Sequence, residues 1–117
     1  MHWPEPVVAA GIDEDGGPVL VTIEYQVAPE HREAFLAALV SLARERRRDG
    51  AYDWEVFEDT AHPGRMIETF LSDSWLDHLR QHRRVTRADR TVEERVQHLA
   101  RDPPRITHYI AARPRGS

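Results

Sequence analysis

Cysteine and lysine are both missing from this 117-residue chain. Without cysteine there is no disulfide, no thiolate nucleophile and no cysteine-ligated zinc. A membrane-spanning run is missing as well: the longest nearly apolar stretch, Ala34 to Ala43, falls well short of the roughly 20 residues a bilayer needs. The N-terminus carries no signal-peptide pattern, so a soluble, cytoplasmic protein is expected. The chain also lacks a positive field. Its net charge of −4 argues against nucleic acid as a partner, because phosphate binding requires the opposite sign. Its basic side chains are all arginine, a bias that with frequent Ala, Pro and Asp fits a GC-rich coding sequence. No phosphate loop, dinucleotide fingerprint, nucleophile elbow or EF-hand loop occurs.

What is present suits one domain with a real core, since 40% of residues are hydrophobic and 31% charged. The most informative stretch runs from Arg65 to Thr86. Met66, Glu68 and Phe70 alternate with Ile67, Thr69 and Leu71, the period of a strand. Ser74 and Asp77 then make a capping box, and Trp75, Leu76 and Leu79 supply a helical apolar stripe.

Upstream, residues 1–17 read as a flexible arm, with two prolines near its start and an acidic, Gly-rich end. Val19 to Val27 is a strand, with Val19, Val21, Ile23, Tyr25 and Val27 on one face. Pro29 suits the start of a helix whose core stripe is Phe35, Leu36, Leu39, Val40, Leu42 and Ala43. Gly50 stops it, and Arg46, Arg47 and Arg48 oppose the negative end of its dipole. Tyr52 to Glu58 alternates as a second strand, 59–64 turns, and 65–72 is the third. A helix from Trp75 toward Arg84 follows, then another after Thr86 or Thr91 with Val92, Val96 and Leu99 as its stripe. A last strand carries Ile106, His108 and Ile110, and residues 113–117 form a tail.

The order β-α-β-β-α-(α)-β over residues 18–112 predicts an α+β domain: a ferredoxin-like split βαβ with an extra helix and a four-stranded antiparallel sheet. Such a sheet covers one face with its own helices. The other is expected to carry Tyr, Trp, Phe, Met or Leu and to be closed by a second copy, giving a homodimeric α+β barrel.

The candidate chemistry is sparse. His78 and His82, four apart, share a helix face, but a metal needs further ligands, and no metal or cofactor is expected. The plainer reading packs one histidine on the sheet and leaves the other in solvent. Trp54, Trp75, Tyr25 and Phe70 are the candidate ligand-pocket residues for a small aromatic or apolar molecule. Trp54, Trp75, Tyr25, Tyr52 and Tyr109 could stack on a planar aromatic ligand, but the plainer reading makes them core and dimer-interface residues. Glu24 and Glu68 are strand carboxylates that could point inward. Glu68, His78, His82 and His108 are the candidate acid–base groups, against the alternative of a carboxylate paired with arginine. The Arg44–Arg48 run and Arg80, Arg83, Arg84, Arg87 and Arg90 read first as salt-bridged helix surface. Beside a membrane they would touch anionic headgroups.

The element order and the stretch Glu68-Thr-Phe-Leu-Ser-Asp-Ser-Trp-Leu-Asp-His78 resemble the dimeric α+β barrel superfamily that includes antibiotic-biosynthesis-monooxygenase-like domains. Phe70 stands where that pattern more often has Trp. Four stretches are similar to the soluble C-terminal domain of major-facilitator transporters of the transmembrane secretion effector type: His2-Trp-Pro-Glu-Pro6, Pro18 to Tyr25, Arg47-Arg-Asp-Gly-Ala-Tyr52, and Trp75 to His82 with Arg84-Val-Thr86. That resemblance spans Trp3 to Ala112. It implies a non-catalytic dimerising or ligand-sensing cytosolic accessory domain of an exporter, meeting the membrane only through an attached transporter. The superfamily resemblance implies instead a cofactor-independent monooxygenase acting on an aromatic polyketide-like substrate, with Glu68 or a histidine as base. A haem-degrading variant fits less well, because the spacing of the helical His from Trp75 departs from that family's.

Overall fold

The computed structural model describes residues 16–83 and 87–114, without the side chains of residues 81–83 and 87–89. The expected arm, apart from Gly16 and Gly17, lies outside them. So do Thr86 and the side chain of His82.

Seven elements follow one another: β1 (Val19–Gln26), α1 (Arg32–Arg48, entered through a 3-10 turn at Pro29–His31), β2 (Tyr52–Glu58), β3 (Arg65–Ser72), α2 (Trp75–Arg83), α3 (Arg87–Leu99) and β4 (Arg105–Ile110). The strands form one antiparallel sheet in the order β2-β3-β1-β4, the ferredoxin-like arrangement expected.

Alternation along β1 and β3 decides the two faces. Val19, Val21, Ile23 and Tyr25, with Met66, Glu68, Phe70 and Ser72, are buried on the inner face. They meet Phe35, Ala38, Leu39 and Leu42 of α1, and Tyr25 packs edge-on against Phe35 with ring centroids 5.0 Å apart. Val96 of α3 is buried in the same core, with Val92 and Leu99 packed against it. Val40 departs from the expected stripe: it is exposed, and Ala38 takes the buried position. The buried set 35, 38, 39 and 42 follows the i, i+3, i+4, i+7 spacing, and position 40 lies off that face.

The inner and outer faces differ from the expected distribution of aromatics. Trp54, Met66, Phe70 and Tyr25 all belong to the inner face, and Glu24 turns outward to pair with Arg65. The outer face instead carries Tyr52, Phe57 (58% exposed) and Tyr109 (54%), beside half-buried Leu20, Ile67 and Leu71 and a row of threonines, Thr22, Thr69 and Thr107. A bulge in β2 produces part of this. Tyr52 opposes Leu71 but Glu55 opposes Thr69, and Asp53 absorbs the extra residue at φ 51°. Tyr52 is thereby sent outward and Trp54 inward, which simple alternation places on one side.

Sequence signals mark the ends well. Gly50 (φ 106°) closes α1 in a Schellman arrangement, with its N–H on the Arg47 carbonyl at 3.0 Å and the Ala51 N–H on that of Arg46 at 2.9 Å. The Ser74 hydroxyl accepts the Asp77 N–H at 3.1 Å, as the capping box predicts. In the β2–β3 turn Asp59 accepts N–H groups of Ala61 and His62, which holds its carboxyl below the usual range.

Gly64 (φ 92°) gives its carbonyl to Val27 N–H at 2.8 Å, and a Cβ there would stand 2.4 Å from the Val27 carbonyl oxygen. Gly64→Ala should therefore cost about 2 kcal/mol or more, from left-handed backbone plus a collision with backbone. Gly50→Ala, which meets only the backbone penalty, should cost ~1 kcal/mol. Urea denaturation of both variants checks the order.

Candidate functional site

The inner face of the sheet is a grid. One row across it reads Ile106, Ile23, Glu68, Val56, and the next reads His108, Val21, Phe70. The two rows carry different chemistry.

Glu68 lies at the centre of the first group and is fully buried. Its Oε1 accepts hydrogen bonds from the Tyr25 hydroxyl (3.0 Å) and Arg46 Nη2 (3.1 Å); its Oε2 accepts from Trp54 Nε1 (2.7 Å) and Arg46 Nε. The Arg46 guanidinium also lies 4.8 Å from the Phe70 ring centroid, and Arg47 lies over Trp54 at 5.7 Å. Burial opposes the Arg46 charge, but the Glu68 carboxylate beside it outweighs that and holds the guanidinium above its ordinary value. Burial, and next the negative field of Glu68, push the Tyr25 hydroxyl well above its usual range.

Arg46 is the residue that sequence reasoning missed by placing it on the helix surface. The signal was there: Phe35, Leu39, Leu42 and Arg46 follow the spacing 0, 4, 7, 11, so Arg46 continues the buried stripe for one more turn. Its neighbours do keep to the expected surface, with Arg48 3.7 Å from Asp49 and, on α2, Arg80 3.5 Å from Asp77.

The second group sits where α2 meets β4. Trp75 (4% exposed) and His78 (2%) begin the helix, and half-buried His108 comes from the strand. Ring centroids are 4.8 Å apart for His78 and His108, 5.6 Å for Trp75 and His108, and 5.9 Å for Trp75 and His78. The indole Nε1–H is buried without a hydrogen-bond partner among the described residues. A buried donor left in that state costs about 1–3 kcal/mol.

The candidate residues therefore divide. Tyr25, Trp54, Glu68 and Phe70 meet around Arg46, while Trp75, His78 and His108 meet at the other end. No group of three or more His, Asp or Glu side chains able to hold a metal occurs among the described residues. Nor does any described helix have the length and apolarity to cross a membrane.

This inner face, covered by helices on a β2-β3-β1-β4 sheet, defines an α+β domain of the ferredoxin-like fold. The chain belongs to the transmembrane secretion effector family, whose model matches residues 1–115. Among solved structures it is similar to a candidate antibiotic biosynthesis monooxygenase of Caulobacter crescentus, at 18% identity and TM-score 0.71, covering 86% of this chain and 93% of that one. A second, of Nitrosomonas europaea, has 17% identity and TM-score 0.70, with 90% and 100% covered. A conserved protein of Methanosarcina mazei has 21% identity and TM-score 0.67, with 78% and 89% covered. At such identities the likeness concerns the fold alone. No curated protein matches the chain.

Two outcomes are expected from the Glu68 group. Arg46→Ala, which strands a buried carboxylate, should destabilise by about 3–5 kcal/mol in denaturant titrations, and Arg46→Met with Glu68→Leu should recover much of that. The raised Tyr25 hydroxyl acts at alkaline pH. Above the ordinary value of 10.0 the unfolded chain ionises while the folded one keeps its proton, so stability should fall as pH rises through that value toward the folded one. In Tyr25→Phe that fall should be reduced, as measured by urea midpoints across the alkaline range.

Proposed function

We propose that this domain is a non-catalytic dimerising or ligand-sensing cytosolic accessory domain of a major-facilitator-type exporter. The observation that carries the reading is the state of Glu68. A general base must meet the proton it abstracts. Here both carboxylate oxygens already accept hydrogen bonds from Tyr25, Arg46 and Trp54, and the side chain is fully buried. The group works as a brace. Membership of the transmembrane secretion effector family supports the link to export.

The dimer is supported by the outer face. Phe57, Tyr109 and Tyr52 lie exposed on it among half-buried aliphatics, and a second copy laid sheet to sheet removes them from water. The Glu24–Arg65 pair at its edge is partly exposed and able to set the register of the two sheets.

One observation favours the second reading, a cofactor-independent monooxygenase acting on an aromatic polyketide-like substrate. Trp75, His78 and His108 gather an indole and two imidazoles in a largely buried cluster, and an imidazole there would serve as the base.

Oxygen uptake separates the two. With anthrone and hydroquinone substrates the accessory domain should show none above the uncatalysed rate. Uptake that disappears in His78→Ala would replace the first reading by the second. Light scattering at micromolar concentration should give twice 13.5 kDa, and Phe57→Asp with Tyr109→Asp should give a folded monomer. A wild-type monomer would remove the dimer from the proposal.

A further inference from the structure

We infer that Gly16 and Gly17 form a latch joining the N-terminal segment to α2. Displacing this segment releases the first turn of α2, with Trp75 and His78, while the sheet stays paired. Two glycines and a proline open the described fold, and each makes a different tie. The Gly16 carbonyl accepts the Trp75 N–H at 3.0 Å, satisfying one of the donors that a helix start leaves open. Gly17 lies against the β3–α2 turn: a Cβ there would stand 2.0 Å from the Asp73 carbonyl oxygen and 2.9 Å from Ser74 Cα. The Pro18 carbonyl accepts the Ala111 N–H at 3.0 Å, just beyond β4.

Position along the chain gives these ties an order. Met from the N-terminal side, the tie to the helix comes first, at Gly16, and the tie to the sheet follows at Pro18. The ladder of β1 starts at Val19, paired with Ser72 on one side and Ile110 on the other. Freeing residues 16 and 17 therefore leaves the register of β1 intact. It does strip the start of α2. That helix has nine residues, too few to hold its shape in water unaided. Its described anchors crowd into its first turn and the cap before it: the Ser74 hydroxyl on the Asp77 N–H, and the buried side chains of Trp75 and His78. Leu79 packs on the core, and Arg80 beyond it is exposed. Asp73, Ser74 and Trp75 are consecutive, so a shift of the turn against Gly17 carries the cap and the indole with it. Such an opening is local, and local openings cost less than global unfolding.

Amide hydrogen exchange on the full chain tests the latch in one direction. Gly17→Ala should speed exchange of the Trp75 and His78 amides about tenfold or more and leave those of Val21 and Phe70 near their wild-type rates. Gly50→Ala, the same change at the end of α1, should not single out α2. The reverse direction follows because coupling between two places is reciprocal. The chain has no cysteine, so Asp15→Cys carries a single nitroxide label beside Gly16. In that labelled protein Ser74→Ala, which removes only the cap hydroxyl, should sharpen the electron spin resonance spectrum. Equal acceleration of helix and sheet in Gly17→Ala, or none, would overturn the latch and leave the glycine a role in general packing. A spectrum unchanged by Ser74→Ala would overturn it as well, since helix and segment would then move independently. Should Gly17→Ala not fold, the label in Ser74→Ala decides the matter.

Discussion

The ion pair between Arg46 and Glu68 joins the C-terminal turn of α1 to the central strand β3 and organises the inner face around it. A carboxylate and a guanidinium taken out of water lose solvation that their mutual attraction alone seldom returns. Here the loss is offset by geometry. Tyr25 and Trp54 supply the remaining donors, and Phe70 presents a ring face to the guanidinium. The contributors come from four elements: β1, β2, β3 and α1. The pair thus holds together three strands and a helix, and it uses up the carboxylate that otherwise looks most suited to proton transfer.

The fold consequently has two unlike ends beneath one sheet. Around Glu68 the polar groups satisfy one another, and nothing in that arrangement asks for a guest. Around Trp75 the donor is buried and its partner is missing among the described residues. The register explains the separation. Antiparallel pairing puts His108 in one row with Val21 and Phe70, next to the row of Glu68, and Trp75 and His78 of α2 pack on His108 while Arg46 of α1 reaches Glu68. The likeness to monooxygenase-named structures is one of backbone, and it is the side chains in these two rows that separate a brace from a site.

Much of this architecture is legible in the residues themselves. Strand alternation in 19–26 and 65–72, the Ser74 cap, the Gly50 stop and the double proline before β4 each act locally, through backbone geometry and nearest neighbours, so their reading survives folding. The Tyr52–Glu58 strand shows where local reading fails. Its bulge at Asp53 depends on how β3 is already paired, and it reverses the side on which Tyr52 falls relative to Trp54. The outer aromatic surface is accordingly built from Tyr52, Phe57 and Tyr109 rather than from Trp54, Met66 or Phe70.

By itself the sequence determined the element order, the helix and strand ends, the fold class and the inward set Val19, Val21, Ile23 and Tyr25, because these follow from period, capping and turn chemistry within a few residues. Only the tertiary structure decided that Arg46 turns inward to Glu68, that Glu24 turns outward to Arg65, and that His108 rather than a carboxylate joins Trp75 and His78. Those pairings lie 22 to 41 residues apart in the chain. They are set by strand register and helix placement, quantities that no stretch of sequence carries alone.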